Sequence, residues 1–186
     1  MNTNYLTENI LNTLKDITDW LKFAEAKNTL LITFNSAWLS FFIKKIFEPD
    51  NANSQFYITT SIICIVSLII SFISFVPKMF KKDIISNIIK KFSGEISEYD
   101  NLLFYKDISK YTEEIYYQKF QTKLMNIENP IPFNSSQNGY EKNLIKQIIV
   151  LSKTAYEKYF LFNISLNITI VYILLMLIYF IYCLFI

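Results

Sequence analysis

Two stretches of this chain run uncharged for longer than a bilayer is thick, and nothing else limits its fold so strongly. No charged side chain occurs between Asn51 and Pro77, and the segment Phe56–Val76 (FYITTSIICIVSLIISFISFV) draws its polar members from Ser and Thr. The last run, Phe160–Ile186, is uncharged for twenty-seven residues, about 40 Å as a helix. Crossing the hydrocarbon takes about 20 consecutive apolar residues, so both runs predict transmembrane helices.

A shorter run raises a question of its own. Lys27 and Lys44 bracket sixteen uncharged residues, with Asn35 among them. The lysine stems can extend the apolar length while their amines reach the two headgroup layers, and a short connection joins the run to the Phe56–Val76 span. The pattern predicts a hairpin of two spans; a buried helix of a soluble domain is the alternative.

The expected fold is therefore an all-α membrane protein with three transmembrane helices and a helical cytoplasmic module. Its parts are a cytoplasmic amphipathic helix (1–28), transmembrane helix 1 (29–47), an external loop (48–55), transmembrane helix 2 (56–76), the cytoplasmic module (77–159) and transmembrane helix 3 (160–186). Orientation follows from the lysines near the span ends. Lys15, Lys22 and Lys27 precede the first span, Lys78, Lys81, Lys82, Lys90 and Lys91 follow the second, and Lys44 and Lys45 mark the short connection. This places the N-terminus and the 78–159 region inside and the C-terminus outside. The first 28 residues lack the basic start and compact apolar centre of a cleavable signal.

Composition agrees and narrows the chemistry. The chain is 52% hydrophobic and 18% charged, against about 25% charged in soluble domains. All eighteen basic residues are Lys and the net charge is +2, which argues against a nucleic-acid partner. The absence of His removes imidazole bases and ligands, and two glycines, Gly94 and Gly139, are too few for a phosphate-cradling loop. Cys64 and Cys183 lie in apolar runs and read as small hydrophobes. Glu113 and Glu114, being adjacent, point about 100° apart on a helix and do not converge. No enzyme, metal site or cofactor is expected.

Ile10, Leu14, Ile17, Leu21 and Ala24 recur at steps of four and three, and no Gly or Pro lies between Leu11 and Phe47. One long helix can therefore run from the cytosol into the bilayer. Leu144, Ile148, Leu151, Ala155 and Phe162 carry a matching stripe, predicting a second such helix from about Glu141 onward. The two stripes are expected to pack as a stalk, within one chain or between copies. Between them, Ile84, Ile85, Ile88, Ile89 and Phe92 predict a helix stopped by Gly94. Ile108, Tyr111, Ile115 and Phe120 predict another, and ENPIPFNSSQNG (Glu128–Gly139) predicts a loop.

Counted from Lys27 and Lys158, Asn35 and Asn167 fall at similar depth, about 12 to 14 Å. Asn163, Ser165 and Thr169 add to this membrane polar layer, which is expected to act as interhelical glue or to line a water path formed on oligomerisation. Glu25 and Lys27 sit at the membrane entry, where Lys27 serves as an anchor or, with Asn28, faces a phosphate-bearing ligand.

Several pieces in one order carry a family resemblance. AEAKN (Ala24–Asn28) opens the first span where the family tends to show Ala-Asp-x-Lys-Ala, and Pro77 closes the second. NLLFYKDISKYTEEIYYQKF (Asn101–Phe120) is similar to a family block of Asn-Leu-Leu-Phe-Phe followed by a Glu-Glu-Tyr helix, and Ile148, Leu151, Ser152, Lys158 and Tyr159 lie on the final helix. The chain thus resembles the small transmembrane effectors of Pycsar anti-phage systems. The resemblance implies a bacterial inner-membrane protein that responds to cCMP or cUMP from a neighbouring cyclase by damaging the membrane and stopping the cell. The bilayer and the nucleotide are then its partners, and a homo-oligomer is expected. A site for one negative charge and a flat base then has Lys27, Asn28, Asn101, Phe104 and Tyr105 as candidates. A toxin-type or structural membrane protein that senses nothing is the competing expectation.

Overall fold

The computed structural model describes residues 3–49, 53–75, 91–92, 94–133 and 139–185. Among them it is all-α, with no strand. Helix α1 (Thr3–Ile46) runs unbroken, α2 (Ser54–Phe75) follows, α3 (Tyr105–Ile108) and α4 (Glu113–Lys119) are short, a π-helical turn covers Phe120–Leu124, and α5 (Gly139–Phe185) closes the chain. Pro77, Lys78, Lys81, Lys82, Lys90, Ile84, Ile85, Ile88 and Ile89 lie outside the described residues, as do 134–138 of the expected loop. Packing divides the chain into two units, Met1–Ala24 with Lys78–Lys158, and Glu25–Pro77 with Tyr159–Ile186.

In the first unit, Leu6, Ile10, Ile17 and Ala24 of α1 are buried, as are Leu144, Ile145, Ile148 and Ala155 of α5. The expected stripes therefore face a core, with Leu14, Leu21 and Leu151 half-buried at its edge. Glu141, in the first turn of α5 where the helix dipole favours an anion, is buried with both oxygens engaged. Thr7 Oγ1 donates to it at 2.8 Å and the Tyr117 hydroxyl at 3.0 Å.

The helix expected through Ile108–Phe120 is instead broken at Thr112. This residue is extended (φ −82, ψ 161) and its side chain accepts from the Ile115 amide, so it caps a new helix whose first turn holds Glu113 and Glu114. The restart turns Ile115 outward while Ile108, Tyr111, Tyr116, Tyr117 and Phe120 stay buried. Asn126 ends the π turn in the left-handed region (φ 52), and the Ile127 amide reaches back to the Gln121 carbonyl at 3.0 Å. The Gln121 side chain, in turn, pairs with both backbone groups of Ile131 and holds the start of the following loop.

The second unit packs residues 25–46 of α1, α2 and residues 159–185 of α5. By length and composition, α2 and α5 are the two helices able to cross a membrane among the described residues. Their polarity is the reverse of a soluble helix. On α2 the buried residues are Thr60, Ser61, Cys64, Ser67, Leu68, Ser71 and Ser74, whereas Ile62, Ile65, Val66, Ile69, Phe72 and Phe75 are exposed. In water this arrangement would expose the large apolar side chains; in lipid it is the stable one, with small residues letting helices approach closely. Next to Ser67 along α2, Cys64 joins Phe42 and Tyr172 in an apolar cluster edged by Trp38 and Tyr57, and Phe56 stacks on Tyr179 at 4.1 Å.

Candidate functional site

The three helices of the second unit meet around one amide. Asn35 is fully buried. Its Nδ2 donates to Ser67 Oγ at 2.9 Å, and its Oδ1 accepts from Thr169 Oγ1 at 3.1 Å and from the Tyr172 hydroxyl at 2.6 Å. Ser67 Oγ lies 2.7 Å from Ser165 Oγ and 2.9 Å from Thr169 Oγ1, and Ser71 Oγ lies 2.7 Å from Ser165 Oγ. Cys64 Sγ donates to the Asn35 carbonyl at 3.3 Å. One heptad earlier on α1, Asn28 Nδ2 donates to Ser74 Oγ at 2.9 Å, so two asparagines on one helix meet two serines on an antiparallel neighbour with the same spacing.

Asn163 and Asn167 are not part of this node. Both are exposed, because each lies two residues from buried Ser165 and hence about 200° round the helix. Ser67 and Ser71 of α2 complete the layer in their place. The signal for them was present in the sequence, where Thr60, Cys64, Ser67, Ser71 and Ser74 recur at steps of three and four and so share a face of α2.

The expected ligand residues fall in both units. Lys27 and Asn28 belong to the second. Lys27 Nζ lies 5.5 Å from the Tyr159 ring centroid and 5.7 Å from that of Phe162, at the edge of an apolar groove of about 620 Å³ between α1 and α5. Asn28 is buried against Ser74.

Asn101, Phe104 and Tyr105 belong to the first unit. Asn101 forms a turn in which its Oδ1 accepts from the Leu103 amide at 3.0 Å, and its own amide donates to Asp107 Oδ2 at 3.1 Å. That turn delivers Phe104 and Tyr105 to Trp20 of α1, with ring centroids 6.0 and 5.6 Å away. Beside them a cleft of about 430 Å³ is lined by Asp16, Asp19, Trp20, Phe23 and Leu103, and Lys22 Nζ sits 3.1 Å from Asp19 Oδ1. Trp20 is 39% exposed, so one part of its ring packs while another faces the cleft.

Asp107, which accepts from the Asn101 amide, also belongs to an ion network. Lys110 Nζ is 2.7 Å from Asp100 Oδ1 and 3.0 Å from Asp107 Oδ1, with all three side chains largely buried. Tyr111 donates to Asp100 Oδ2 at 3.0 Å, and the Ser97 amide does so at 2.9 Å. Burial pushes the Asp100 carboxyl up, but the Lys110 ammonium, the Ser97 amide and the Tyr111 hydroxyl outweigh it and hold it below the usual carboxylate value. Burial lowers Lys110, yet its two carboxylates keep it above the usual lysine value. Burial and Asp100 together push the Tyr111 phenol up to about 12.

This sequence is similar to known proteins over most of its length. The Pycsar effector protein domain matches residues 9–185. The Pycsar effector protein RsPycTM of a Rhizobium species is 28% identical over 148 residues, 78% of this chain and 77% of that protein. No solved structure matches. The domain match takes in α2, α5 and the serine-lined node between them, and on that extent the chain belongs to the Pycsar effector family of anti-phage membrane proteins.

Proposed function

We propose that this chain senses a cyclic pyrimidine mononucleotide, cCMP or cUMP, made by a neighbouring cyclase, and answers by breaching the bacterial inner membrane. The chain crosses that membrane three times, with the N-terminus and the 78–159 region inside and the C-terminus outside. Residues 29–47 serve as the first of the three spans: their outward Leu30, Phe34, Phe41 and Ile43 are large and apolar, while inward Asn35 is matched by hydroxyls from the two longer spans.

The observation that carries the proposal is the Asn35 node, a polar layer sealed inside helices whose outer faces are mostly apolar. Interhelical hydrogen bonds of this kind contribute about 0.6 to 2 kcal/mol each. Several together hold the helices shut, yet the same hydroxyls can line water once the helices part. A nucleotide opens them only by binding the open form more tightly than the closed one. The Trp20 cleft is the base platform in this reading, with no covalent step and no catalytic residue.

Copies associate through Asn163 and Asn167, an amide pair one helical turn apart on the exposed face of α5. Lipid tails offer such amides no partner, whereas the same face of a second copy does. Purified protein in liposomes tests the whole reading. Dye release on addition of cCMP or cUMP, and none before it, is expected; release that is the same with and without either nucleotide removes the sensor and leaves a toxin-type membrane protein.

A further inference from the structure

The groove between α1 and α5 in the second unit is built for a different molecule from the nucleotide. Leu30, Phe34, Phe162, Ile170 and Ile173 line it, and its charge comes from Lys27 at one end. Along α5 it runs from Phe162 to Ile173, about 16 Å at the helical rise, which matches one leaflet of a hydrocarbon core about 30 Å thick. A cyclic nucleotide needs several hydrogen-bonding partners, and this wall supplies almost none. From this geometry we infer that the groove binds one acyl chain of an anionic phospholipid, whose phosphate pairs with the Lys27 ammonium.

The rings of Tyr159 and Phe162 hold the ammonium at the groove end, which positions it for a headgroup rather than leaving it to sweep the interface. An acyl chain suits the shape because it is narrow, flexible and apolar along its whole length. The charge complementarity selects lipids with a net negative headgroup. The bound lipid braces α1 against α5 on the side of Thr169, which also lines the groove and donates to Asn35 at 3.1 Å. Loss of the lipid therefore loosens the node from outside.

This lipid site rests on the spanning of residues 29–47 proposed above, and the test separates the two. Native mass spectrometry of the full chain, exchanged into phosphatidylglycerol and phosphatidylcholine of identical chains, should show about five-fold preferential retention of phosphatidylglycerol, the worth of one lysine near a charged surface. Lys27→Gln should abolish the preference, and Ile170→Trp, which fills the groove, should lower retention of both lipids. Equal retention by the wild type, or retention that Ile170→Trp leaves unchanged, overturns the lipid site. Disulfide cross-linking of Thr33→Cys between copies, in a Cys183→Ala background, also overturns it by giving the groove to a second copy. Labelling of that cysteine by a membrane-impermeant maleimide instead overturns the spanning of residues 29–47.

Discussion

Asn35 on α1 and Ser67 on α2 are joined by a 2.9 Å hydrogen bond at the centre of the helical packing, and α5 closes on the same amide through Thr169 and Tyr172. Asn35→Leu keeps the branching of the side chain, with somewhat more bulk, and deletes every one of these bonds. The variant should still insert, since an apolar side chain favours the bilayer. If the node lines the water path, nucleotide-triggered dye release should vanish; release at the wild-type rate would confine Asn35 to holding the helices together.

Lys110 neutralises two largely buried carboxylates, so Lys110→Met leaves both without their cation. Removing one partner of a buried pair costs about 3 to 5 kcal/mol, which thermal unfolding in detergent should register as a marked loss. The pH dependence follows from the same groups. Asp100 is depressed, so its contribution is present above the unfolded carboxylate value of about 4 and is lost as pH falls through its lower folded value. Lys110 is raised, so its contribution holds below the unfolded value of about 10.4 and is lost as pH rises through the folded one. Melting temperature should be flat between these limits, and Asp100→Asn should shrink the acid-side fall.

Trp20 offers part of its ring to the cleft and braces Phe104 and Tyr105 with the rest. Stacking on an aromatic contributes about 1 to 3 kcal/mol per base, so Trp20→Ala should weaken cCMP or cUMP binding by roughly ten-fold or more, read by calorimetry. Trp20→Phe should recover much of the loss. Equal affinity in the wild type and the alanine variant would place the base elsewhere.

The exposed pair Asn163 and Asn167 should govern assembly rather than folding. In the double Leu variant the Asn35 node is untouched, so its melting temperature should stay close to wild type, while cross-linking in liposomes should shift toward monomer. Unchanged cross-linking would assign the contact between copies to another face.

Asn126 holds a left-handed backbone that glycine adopts without a side-chain penalty. Asn126→Gly should stabilise the 97–133 segment slightly, by up to about 1 kcal/mol. Asn126→Val should cost at least as much, because a branched side chain fits that region poorly. Hydrogen exchange of the Ile127 amide, bonded to the Gln121 carbonyl, reports both changes locally.

The unbroken run from Leu11 to Phe47 and the uncharged final segment already specified the two long helices, because apolar spacing and the absence of Gly and Pro are local properties. Which side of α5 turns inward was not local. Nearly the whole circumference of its membrane segment is apolar, so hydropathy sets no direction, and equal depth could not separate Asn163 and Asn167 from Ser165 and Thr169. Packing decided it, since small hydroxyl residues let α2 and α5 approach closely enough to satisfy the Asn35 amide. The restart at Thr112 is a local cap, a threonine followed by two acids, that the regular apolar stripe hides, whereas the gathering of Asp100, Asp107 and Lys110 was settled by the tertiary fold, where a largely buried cation draws in its carboxylates.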